Sequence, residues 1–67
     1  MDAVIYLKSG LQETVKGLTL IKVQALNRGI EEIKDFTSFF PPSGKCVFVG
    51  ESTVSVDGSD LLLVKFY

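Results

Sequence analysis

Histidine and tryptophan are missing from this chain, and cysteine occurs once, as Cys46. Without histidine there is no Ser-His or Cys-His pair, the usual means of activating a nucleophile. One cysteine and no histidine also make no zinc-type ligand set, and no disulfide can close within one copy. Inside the apolar run "KCVFVG", the thiol reads as a buried structural group rather than a reactive one. A surplus of charge is lacking too. Eight acids against seven bases leave a net charge of −1, so the overall balance draws the chain neither to nucleic acid nor to an acidic membrane. No apolar run approaches the roughly 20 residues of a membrane-spanning helix. The opening "MDAVIYLKSG" carries an acid where a secretory signal has a basic region, and its apolar run is short. The expectation is a protein of a reducing, cytoplasmic compartment, away from the membrane.

What is present is a set of short apolar runs, 46% of a chain of 67 residues. That is enough for a core and too much for disorder. A chain this small buries only about 60% of the surface its unfolded form exposes. Its single domain, residues 1–67, is therefore marginal, and self-association is one remedy.

The runs read as strands. Val4, Ile5, Tyr6 and Leu7 are β-branched, aromatic or apolar, and Ser9-Gly10 follows as a turn. Leu11, Thr14 and Val15 resume, Gly17 breaks, and "LTLIKVQAL" continues in the same style. After a turn at Asn27-Arg28-Gly29, helix and strand compete. Ile30, Ile33, Thr37 and Phe40 would share a helical face, and one short helical turn is expected over residues 30–34. "KCVFVG" and the alternating "STVSV" are strands, and Asp57-Gly58 signals a hairpin. "DLLLVKFY" is apolar on both parities as far as Val64, so it should be covered on both faces. The fold class that follows is mainly β: a small antiparallel barrel, roll or meander of about five to six short strands. The first and last strands are expected to lie near each other.

One stretch stands apart. "DFTSFFPPSGK" holds three of the five phenylalanines beside both prolines. Phe36, Phe39 and Phe40 either fold over an open end of the barrel as a plug or form an aromatic patch for another chain. Pro41 ends the segment and stiffens the loop. Both uses can hold together, with some rings inside and some outside.

Carboxylate pairs offer little chemistry. Glu31 and Glu32 are neighbours and point apart on a helix or a strand, and Asp57 and Asp60 flank a turn where Asp is favoured for its own backbone bonds. "PSGK" and "DGSD" contain glycine without a phosphate-loop pattern. No metal, cofactor or small-molecule substrate is expected, and the chain reads as a non-enzyme.

The layout of "LKSG" after a first strand, an acidic-aromatic segment, then "PPSGKCVFVG" and a final apolar strand resembles short β-rich proteins encoded by phages and prophages of Gram-positive bacteria. The resemblance implies a small accessory protein, of a kind in which some members bind and block a host protein. The leading expectation is thus a non-catalytic interaction module that self-associates, binds a protein partner, or does both. Its surfaces would be Phe36, Phe39, Phe40 and Pro41 together with Leu61, Leu63, Lys65 and Tyr67 of the terminal strand. The alternative is an oligonucleotide-binding barrel, of the OB or SH3-like kind, in which Tyr6, Lys8, Lys65 and Tyr67 share one face as a stacking platform.

Overall fold

Ala3 and Ile5 are fully buried while Val4 and Tyr6 beside them are partly exposed, and that alternation makes β1 (Ala3–Leu7) a strand with one face on a core. The computed structural model describes residues 1–25, 29–40, 42 and 44–67. Its further strands are β2 (Gln12–Val15), β3 (Leu20–Ala25), β4 (Gly29–Ile33), β5 (Lys45–Val49), β6 (Thr53–Asp57) and β7 (Leu61–Phe66). They form two antiparallel sheets, ordered β2-β1-β7 and β4-β3-β5-β6, and do not join into a closed barrel. The mainly β reading holds, and the first and last strands do pair, Ile5 opposite Val64 and Ala3 opposite Phe66.

The sheets share one core. The first supplies Ala3, Ile5, Val15 and Leu61, the second Ile21, Val23, Cys46 and Phe48, and Leu18 comes from the link between them. That link is held at both ends. Gly17, at a positive φ of 62°, donates its N–H to Asp2 Oδ1 at 3.1 Å, and Leu18 donates to the Met1 carbonyl at 2.6 Å. Thr19 then donates to the Val49 carbonyl of the other sheet at 2.9 Å. Close by, β2 and β6 approach each other.

Three expectations about local structure are corrected. Residues 30–34 are not a helical turn: Gly29–Ile33 is strand β4, with Ile33 opposite Ile21 and Glu32 opposite Lys22. A strand partner satisfies backbone groups that a five-residue helix would leave open, and pairing overrides the weak helical pattern. The helical turn falls later, over Phe36–Ser38, where Asp35 Oδ1 accepts from the Thr37 N–H at 3.2 Å and its hydroxyl at 2.6 Å. Asp57-Gly58 does not close a hairpin. Gly58–Asp60 is a 3-10 turn that carries the chain from β6 in one sheet to β7 in the other. Gly58 is buried there and donates to the Gly44 carbonyl at 2.8 Å; a Cβ at this position would run into the Pro42 carbonyl. With β4 counted, the strands number seven rather than five to six. The expected turn at residues 27–28 lies outside the described residues.

Among the described residues no helix is long and apolar enough to cross a membrane.

Candidate interaction surface

The terminal strand does not receive the double cover its sequence demands. β7 has β1 on one side and, among the described residues, no strand on the other. Its register with β1 contains one irregularity: Tyr6 faces Leu63 and Leu7 faces Leu61, so Leu62 is an extra residue between them. This bulge shifts the parity of the strand. Leu61 turns into the core with Val64 and Phe66, whereas Leu62 is 61% exposed and Leu63 43%. An apolar run that looked as if it needed two covered faces is thus split between a core face and solvent.

The backbone of β7 is equally one-sided. Asp2 donates to the Tyr67 carbonyl at 2.8 Å and Tyr67 donates back to Asp2 at 2.7 Å, so these two form a hydrogen-bonded pair. Pairs of this kind alternate along an antiparallel ladder, which makes Val4 with Lys65 and Tyr6 with Leu63 the next ones. Val64 and Phe66 therefore direct their N–H and C=O groups away from β1. An edge of this sort, with apolar side chains beside it, is a template for another strand.

Two of the three phenylalanines of the aromatic segment are spent internally. Phe36 stacks on Phe66, with centroids 5.4 Å apart and planes 13° apart. Phe39 meets Phe48 edge-on at 5.9 Å and Phe66 at 6.3 Å, touching one ring from each sheet. The segment that follows edge strand β4 thus plugs the space between the sheets. Phe40 is left outside, 79% exposed. Pro41 lies outside the described residues. Leu61, at 4% exposure, also belongs to the core, so of the expected surface Phe40, Leu63, Lys65 and Tyr67 face solvent. Leu62 was not singled out from the sequence. The triplet Leu61-Leu62-Leu63 holds the only hint, since three leucines in a row cannot all sit on the core face of a regular strand.

The residues of the alternative platform are partly brought together. Tyr6 and Lys65 lie on the outer face of the same sheet, with Lys65 Nζ 5.8 Å from the centre of the Tyr6 ring. Lys8 follows the end of β1 near Asp60, to whose carbonyl it donates at 2.8 Å, and Tyr67 pairs with Asp2 at the opposite end of the sheet. Lys65 thus sits over Tyr6, while Lys8 and Tyr67 lie toward opposite ends of the sheet.

Comparison with protein-family models, with curated proteins and with solved structures finds no match. The surface has to be read from its own geometry.

Elsewhere the chemistry is sparse. Burial pushes the Cys46 thiol up to about 12, so it stays protonated and unreactive at neutral pH. Lys45 pairs with Asp57 at 3.7 Å, both exposed, a contact worth little in water. Between Lys22, Ile30, Lys45 and Val47 on the outer face of the four-stranded sheet lies a hollow of about 130 Å³. A pocket for a drug-sized ligand begins near ~300 Å³, so this hollow is too small to enclose one.

Proposed function

We propose that this protein is a non-catalytic interaction module whose contact surface is the outer edge of β7. The observation that carries the reading is the exposure of Leu62 and Leu63 on a strand whose outward Val64 and Phe66 backbone groups have no neighbouring strand among the described residues. Exposed apolar side chains beside an unpaired edge give a partner both burial and ladder hydrogen bonds. Phe40 and Tyr67 add further exposed aromatic surface. The phage-type resemblance agrees in kind, since it implies a small accessory protein of a sort in which some members bind a host protein. The sequence has no histidine to activate a nucleophile and its one thiol is buried and protonated, which also favours contact over turnover.

The test compares immobilised wild type with a Leu62→Ser/Leu63→Ser variant, whose fold is first checked by circular dichroism. Both changes are on exposed side chains, so the variant is expected to fold. The wild type should retain a protein, its own chain or another, that the variant loses. Identical retained material from the two would overturn the reading.

A further inference from the structure

We infer that the occupant of the β7 edge is a second copy of β7, paired antiparallel about a two-fold axis at Val64. This rests on the interaction reading above and names its partner. The two three-stranded sheets would then become one six-stranded sheet.

The register follows from which groups point outward and from a single charge. Hydrogen-bonded pairs across the new junction must use outward-facing residues, and Val64 and Phe66 supply them. Two symmetric registers pair Val64 with one of these residues. One sets Val64 against Phe66 of the second copy, which places Lys65 against Lys65 at the closely spaced kind of pair, about 4.5 Å between Cα atoms. Like charges directly opposite each other are destabilising. The other sets Val64 against Val64, which places Leu63 against Lys65 of the second copy and Lys65 against its Leu63. The two ammonium groups are then kept apart, and each can stay over its own Tyr6 ring. Phe66 of each copy then falls opposite the bulge at Leu62 of the other. Lys65 is the only charged residue in β7, and in this register the strand is complementary to itself.

Another route open to the β7 edge is a contact with an unlike edge, such as β4 of the next copy. β4 carries Glu31 and Glu32 in its five residues, so Lys65 would find acids there. Such a head-to-tail contact leaves a β7 and a β4 free after every addition and need not close. The two-fold pairing consumes both β7 edges at once and stops at two copies.

The experiment is isotope-filtered NMR on an equal mixture of labelled and unlabelled wild type, at a concentration where light scattering gives the dimer mass. The expected result is an intermolecular cross-peak between the Leu63 and Lys65 α-protons. A cross-peak between Lys65 and Lys65 would overturn the register, and cross-peaks from β7 to β4 in a growing series of species would overturn the symmetric pairing. A dimer with no intermolecular signal from β7 would overturn both this proposal and the choice of surface. A monomer at every concentration would exclude the second copy alone, and the capture comparison with Leu62→Ser/Leu63→Ser would still judge the edge as a site for a different chain.

Discussion

The edge of Phe39 meets the ring of Phe48 at 5.9 Å with the planes at 66°. That contact joins a loop residue to a fully buried position at the centre of the four-stranded sheet. Phe40, the next residue, makes no comparable contact and stands 79% exposed. Two adjacent phenylalanines therefore have separate tasks. Phe39→Ala should cost roughly 2–4 kcal/mol, somewhat below the ~3–5 kcal/mol of a fully buried Phe→Ala change because the ring is only partly buried. Phe40→Ser should change stability by no more than about 0.5 kcal/mol. Urea unfolding of the two variants checks the split, and equal losses would contradict it.

Phe66 receives both Phe36 and Phe39, so its loss should be felt by two rings at once. Aromatic pairs contribute about 0.5–1.5 kcal/mol each beyond the area they bury. A Phe36→Ala/Phe66→Ala cycle should therefore show coupling of that order. Thermal unfolding of the single and double variants measures it, and strict additivity would mean the stack carries no energy of its own.

Gly58 is predicted to be among the least replaceable positions in the chain. A methyl group there meets the carbonyls of Pro42 and Gly44, and backbone cannot yield as a flexible side chain can. Gly58→Ala should cost about 3 kcal/mol or more, at or above the usual overpacking range. Ser59→Ala, one residue on and exposed, should be close to neutral. Comparing their melting temperatures tests the assignment.

Cys46 gives a pH prediction with a definite sign. Its thiol is raised from 9.0 to about 12 by burial, so above pH 9 the unfolded chain loses a proton that the folded chain keeps. The stability linked to this group is fully present below pH 9 and is lost as pH rises toward 12. Cys46→Ala should flatten that part of the profile relative to wild type, although the cavity lowers stability throughout. Parallel profiles from pH 9.0 up toward about 12, the window of the predicted loss, would contradict the account.

Much of the fold was legible because period-2 alternation and turn residues act locally. Val54 and Val56 against Ser55, or Cys46 and Phe48 against Lys45, announce which face is inward before any partner is known. What stayed hidden depends on partners distant in the chain. Residues 30–34 have a helical pattern, and only the pairing of Ile33 with Ile21 makes them a strand. Gly58 looks like a hairpin glycine, and only its packing against Pro42 and Gly44 shows that it is a crossing point between sheets. The candidate surface was half visible. Leu63, Lys65 and Tyr67 follow from the apolar terminal strand, but Leu62 depends on a bulge, and a bulge is a property of two strands together. Phe36 and Phe39 could be sorted from Phe40 only once Phe48 and Phe66 were placed around them.

The central claim is that the outer edge of β7 is the contact strand, and amide exchange at Val64 and Phe66 across a dilution series tests it most directly. These N–H groups point away from β1 and meet no strand among the described residues, so they should exchange readily unless another chain covers them. Exchange at both positions should slow as concentration rises, while Lys65 and Leu63, bonded to β1, stay equally protected throughout. Rates at Val64 and Phe66 that are fast and independent of concentration, in a sample whose mass shows association, would place the contact elsewhere on the protein.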